Sequence, residues 1–148
     1  MSASDLPIVD AHHHLWQLSG GPLYYPWLQD PKPHEFFLGD YASLKRDYLP
    51  PDYRRDAAGH DVVKTVHVEA ECRRDQQVAE TRWLTEMNAR HGMPHAIVAH
   101  AWFHLPGAEE ILAQQEEYRL AGQVIATHGQ FSHFAISVSA ERTHTDVG

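Results

Sequence analysis

The chain has 148 residues, enough for one domain with a real core, and its 43% hydrophobic and 22% charged residues are those of a globular protein. A net charge of -8 and the lack of a basic stripe with interleaved aromatics exclude a nucleic-acid surface, and no apolar run is long enough to span a bilayer or make the membrane a partner. The opening Met1-Ser2-Ala3-Ser4-Asp5 has neither the basic region nor the apolar core of a secretory signal, so the cytoplasm is the expected compartment.

The first predicted element is a strand from Pro7 to His14, in which the apolar pair Ile8-Val9 leads into Asp10-Ala11-His12-His13-His14. Strict alternation puts Asp10, His12 and His14 on one face and Val9, Ala11 and His13 on the other. Two imidazoles two residues apart on a strand can reach one cation, and a catalytic zinc needs about three protein ligands plus an open position for water. The same residues also read as a polar strand end. If His12 and His14 bind metal, Asp10 is the expected orienting group, because a ligating imidazole commonly gives its other N–H to a carboxylate or carbonyl.

From Trp16 to Tyr41 the chain is rich in Gly, Pro and aromatics, with Gly20-Gly21-Pro22, Tyr24-Tyr25-Pro26-Trp27 and Pro31-Lys32-Pro33 all breaking regular structure. A loop this long in a small domain is either an active-site lid or an aromatic cover packed onto the core. Trp16, Tyr25 and Trp27 are the candidate substrate contacts, expected to fold over the strand end near His12 and His14.

A helical stretch is expected over Ala42 to Tyr48, and Pro50-Pro51-Asp52 starts a fresh helix running to Gly59. Val62 to Ala70 reads as a second strand, rich in β-branched residues. Cys72 is the single cysteine, so no intrachain disulfide can form, and it reads as an ordinary free thiol. From Asp75 the pattern turns helical, with Val78, Trp83, Leu84 and Met87 near one face and Gly92 as the stop. Pro94 precedes a third strand, Ala96 to Phe103, and Pro106-Gly107 introduces a helix through Tyr118.

Strand and helix alternating three times is the signature of βα units and a parallel sheet. The histidine motif, Glu69-Ala70-Glu71 and His100-Ala101-Trp102 all fall near the C-terminal ends of their strands, the edge on which α/β folds collect their chemistry. Glu69 is there either a substrate-orienting group or a solvated strand-end carboxylate.

The run Ile8 to Trp16, followed by Tyr25-Pro26-Trp27-Leu28, Gly39-Asp40-Tyr41 and Val66-His67-Val68-Glu69-Ala70, resembles the amidohydrolase-2 family of TIM-barrel metal-dependent hydrolases. Within that family it is most similar to the fuconolactonase and dicarboxylate-lactonase-like branch, over about Pro7 to about Tyr118. The resemblance implies an α/β fold, a partial (β/α)8 TIM barrel of three to four βα units. It makes His12 and His14 metal ligands or substrate contacts, with a divalent metal, zinc in the first instance, although some relatives need none. The implied reaction is hydrolysis of a lactone by water activated by metal or carboxylate, with Asp10 and Glu69 as the catalytic carboxylates and a small lactone or carbohydrate acid as substrate.

A complete barrel takes ~250 residues, so residues 1–119 are expected to be its N-terminal part and 120–148 a divergent tail, read as the product of truncation or a frame shift. His128, His133 and His144 are the tail's candidates to replace missing ligands, and none is expected to complete a site. An open piece of barrel exposes sheet edges and apolar interior. The alternative reading is therefore a catalytically inactive fragment acting as a binding or oligomerising module, with a second copy covering the open barrel.

Overall fold

The computed structural model describes residues 6–31 and 39–118 in full and the backbone of 124–128 and 135–138. Its frame is a sheet of β1 (Ile8–His13), β2 (Val62–Val68), β3 (Ala96–His100), β4 (Val124–His128) and β5 (Ala135–Val138), in that spatial order. β1 to β4 pair in parallel through short runs of Val, Ile and Ala, while β5 returns antiparallel to β4.

Among the described residues four α-helices join and cover these strands: α1 (Pro26–Gln29), α2 (Pro50–Asp56), α3 (Gln77–His91) and α4 (Ala108–Glu116). α1 and α2 both start on a proline, whose fixed φ suits the first helical position. In α2 the Asp52 carboxylate also accepts the Leu49 N–H at 3.0 Å, satisfying a donor the helix leaves open. α3 ends where Gly92 takes φ 71, a left-handed conformation that costs a glycine little. Its buried residues are Gln77, Glu80, Thr81, Trp83, Leu84 and Met87, polar in the first turns and apolar in the later ones. The apolar half joins Ile97 and Ala99 of β3 in the core with Leu15, Leu23, Tyr25 and Leu28.

The helix expected over Ala42 to Tyr48 is a single 3-10 turn, Ala42–Leu44. Tertiary bonds draw the rest out straight. Tyr48 exchanges two 3.0 Å backbone hydrogen bonds with Trp16, and the Asp47 carboxylate accepts the N–H groups of Leu18 and Ser19.

The expected partial barrel is corrected by this topology. The sheet is open, with β1 and β5 at its edges, and the antiparallel β5 ends the parallel run that a (β/α)8 barrel would have to continue. Two apolar runs of the tail supply β4 and β5; the remaining tail residues lie outside the described part of the chain. No helix among the described residues is long and apolar enough to cross a membrane.

Candidate active site at the C-terminal edge of the sheet

β1 does not alternate strictly. Asp10 pairs with Thr65 and His13 with His67, so three steps along β1 match two along β2. Such a bulge inserts an extra residue and redirects the side chains around it. Asp10 and His13, which strict alternation puts on opposite faces, both meet Tyr53 of α2: the Tyr53 hydroxyl donates to Asp10 at 2.6 Å, and the His13 ring lies 4.8 Å from the phenol ring. Asp10 is thus turned from the two imidazoles it was expected to orient. Its hydrogen bond toward them is to the backbone, accepting the His12 N–H at 3.1 Å.

His12 and His14 do come together. Their Nε2 atoms lie 3.2 Å apart, and Nδ1 of His14 donates to the Val68 carbonyl at 2.9 Å. With its proton on Nδ1, neutral His14 keeps the Nε2 lone pair, so His12 Nε2–H is the donor between the rings. Burial lowers the pKa of His14, outweighing the Val68 carbonyl and the Glu69 charge that pull it up, so the ring is neutral at physiological pH. Two nitrogens about 2.05 Å from a tetrahedral zinc stand about 3.3 Å apart, close to the separation found here. A ring fixed by a backbone carbonyl with its other nitrogen open is also the usual state of a metal-binding histidine. The pair therefore fits two ligands of a divalent ion, while among the described residues no group of three His, Cys, Asp or Glu side chains is arranged to hold one.

Glu69 follows β2 and is buried. Its carboxylate accepts the Glu71 N–H at 2.8 Å and lies 3.3 Å from His100 Nδ1 at the end of β3. Glu71 takes φ 56, an uncommon conformation for a residue with a side chain. Burial pulls the His100 pKa down, but the Glu69 hydrogen bond and charge, with Glu71 and Glu80 nearby, outweigh it and leave the value raised. Glu69 is thus a partnered carboxylate within electrostatic reach of His14, with a histidine behind it.

The candidate aromatic contacts divide. Trp16 stacks on His14 with ring centroids 6.4 Å apart, and Trp27 meets Trp16 edge-on at 5.7 Å. Both indoles are pinned by N–H donation, Trp16 to the Arg46 carbonyl and Trp27 to the Ala70 carbonyl just beyond β2. Tyr25 is instead fully buried, with Glu80 and Cys72 close enough to bear on its phenol, and no substrate reaches it there. Beside the tryptophans lies a cavity of about 310 Å³, lined by His14, Trp16, Leu44, Arg46, Tyr48 and Asp56.

His67 and Arg46 are not among the candidate site residues, and the sequence places His100 at this edge without a role. His67 lies two residues before Glu69 and so shares its face of β2, a period that could have flagged it. It is fully buried with its ring 6.1 Å from His14, and burial drives its pKa well below the ordinary histidine value. The side chains of His128, His133 and His144 lie outside the described residues.

No protein-family model matches the chain, and no solved structure matches it. The chain is similar to the uncharacterized protein y4mH of Sinorhizobium fredii (strain NBRC 101917 / NGR234), being 39% identical over 116 residues. That match takes in 78% of this chain but 38% of y4mH, so the chain spans less than two fifths of that relative's length.

Proposed function

We propose that the ends of β1 and β2 form a hydrolytic site of the amidohydrolase-2 type, acting on the cyclic ester of a small lactone. One observation carries the reading: the two Nε2 atoms of His12 and His14 converge to 3.2 Å, with His14 held from behind by the Val68 carbonyl. These two side chains would supply two ligands of a divalent ion, zinc being the metal that best suits paired neutral imidazoles. A bound zinc polarises a carbonyl and lowers the pKa of its water to near 7.

The chain's own groups do the rest. Glu69 takes the proton as the water oxygen bonds to the lactone carbonyl carbon. The same proton goes to the ring oxygen as its bond to that carbon breaks, leaving a hydroxy acid. Trp16 and Trp27 limit water access and present flat faces to the substrate ring. Asp10 sets the His12 backbone from within the bulge. A small-molecule hydrolase with a single cysteine suits the cytoplasm.

The test is metal analysis of the purified chain with titration of lactone hydrolysis, for the wild type and for His12→Ala combined with His14→Ala. We expect zinc to bind and lactones to turn over in the wild type, and both to be lost in the double variant. Turnover without metal that is still lost in the variant makes the histidines substrate contacts. A stable dimer with no turnover of any lactone supports the binding module instead.

A further inference from the structure

The cavity beside His14 is lined by a cation that forms no ion pair among the described residues. Arg46 lines it, and no carboxylate among the described residues lies within ion-pair distance of its guanidinium. The neighbouring acids are engaged elsewhere. Asp47 accepts the backbone N–H groups of Leu18 and Ser19 at 2.7 and 2.8 Å. Asp52 accepts the Leu49 N–H and pairs with Arg55 at 2.9 Å. Asp56, the carboxylate that shares the cavity wall, accepts the Tyr48 hydroxyl at 3.0 Å and meets Arg55 at 3.4 Å.

The Arg46 backbone is held in place, while its side chain is exposed. Its carbonyl accepts the Trp16 indole N–H at 2.7 Å, and the Trp16 to Tyr48 bridge fixes the backbone two residues on. Its guanidinium lies over the Tyr48 ring, 5.7 Å from the centroid. The aromatic wall of Trp16 and Tyr48, the aliphatic side chain of Leu44 and a planar cation outside any ion pair among the described residues together suit a small ring that carries an anion. A guanidinium recognises a carboxylate through two parallel N–H donations, a geometry that a lone ammonium lacks.

We propose that this cavity is a carboxylate-recognition subsite, in which Arg46 binds the carboxylate of a small cyclic ligand whose ring packs against the cavity wall that Trp16 and Tyr48 form together, their own rings 6.2 Å apart. Joined to the hydrolytic reading, on which this step rests, it selects lactones that bear a free carboxylate over uncharged sugar lactones, with Arg46 setting that specificity.

The test reads binding, so that it can fail separately from hydrolysis. Tetrahydrofuran-2-carboxylate and its uncharged counterpart, tetrahydrofurfuryl alcohol, are titrated into the full chain while the Trp16 indole N–H is followed by NMR. We expect a saturable shift with the carboxylate and binding at least about tenfold weaker with the alcohol. Arg46→Gln should bring the carboxylate down to the level of the alcohol. Arg46→Lys, which keeps the charge and loses the fork, should fall between the two. Equal binding of the two ligands by the wild type, unchanged carboxylate binding by Arg46→Gln, or no saturable binding overturns the subsite. Carboxylate binding that depends on Arg46, in a protein that turns over no lactone, leaves the subsite standing and removes the hydrolytic reading. Lactone turnover indifferent to both the carboxylate and Arg46 does the reverse.

Discussion

The Tyr53 to Asp10 hydrogen bond, 2.6 Å long, ties α2 to the bulged strand that presents the histidines. Partial burial raises the Asp10 pKa, but the bond from Tyr53 and the one from the His12 N–H outweigh it and leave the carboxyl lowered, so it is ionised at neutral pH. A hydrogen bond to a charged group contributes about 1.5–3 kcal/mol, and Asp10 would retain its His12 partner if Tyr53 were truncated. Tyr53→Phe should therefore cost about 1–2 kcal/mol in urea denaturation. Because the bond also holds the bulge, the same variant should loosen the His12 and His14 pair, seen as broadened imidazole resonances of those two residues alone. A fully stable Tyr53→Phe would mean that the strand holds its bulge without α2.

α3 combines two kinds of position whose costs are separable. Leu84 is fully buried in the core, so Leu84→Ala removes packed methyl groups and leaves a cavity, costing about 2–5 kcal/mol. Gly92 closes the same helix at φ 71 with open space where a Cβ would lie. Gly92→Ala therefore meets only backbone strain, about 1 kcal/mol. Equilibrium unfolding of the two variants should rank them in that order. The reverse order would show that α3 packs on the sheet less closely than its burial indicates. The stripe of this helix mixes polar with apolar positions: Gln77, Glu80 and Thr81 are nearly as buried as Leu84, and Glu80 accepts the Ala70 N–H at 3.2 Å just beyond β2.

At the scale of the molecule, the strand-end edge gathers ionisable groups that couple stability to pH. Burial, with the Glu69 charge, pushes the Glu80 carboxyl up to about 8 from an unfolded value of 4.5. Between those values the folded chain binds a proton that the unfolded chain has released, so stability falls as pH rises across that window. His100, raised through Glu69, acts with the same sign: its contribution is complete below the ordinary histidine pKa of 6.5 and is lost as pH rises through its raised value. The thermal midpoint should therefore drop between about pH 6.5 and pH 8, and Glu80→Gln should flatten much of that drop. A wild-type midpoint that is level across this range would mean Glu80 is not held protonated in the folded state.

The alternation of β-branched runs with capped helical stretches is a local property, and it fixed the order of strands and helices and the placing of the histidine motif, Glu69 and His100 at strand ends. Boundaries moved where side chains from distant parts of the chain intervened, as when Trp16 and Asp47 stretched the segment after Leu44. Sheet closure was not local either: whether βα units curl into a barrel depends on which strand pairs next, and the antiparallel β5 answered that against the barrel. The spacing by two brought His12 and His14 to one strand end, and their convergence there also takes the Val68 carbonyl, which holds His14 just past the end of β1. The departure of Asp10 toward Tyr53 does not follow from spacing, because a bulge is set by the register between β1 and β2 and leaves no mark in the sequence of either. Tyr25 and Arg46 exchanged expectations for the same reason. Burial and pairing are properties of the surroundings, and only the folded chain buries a tyrosine near Glu80 and sets an arginine beside His14 outside any ion pair among the described residues.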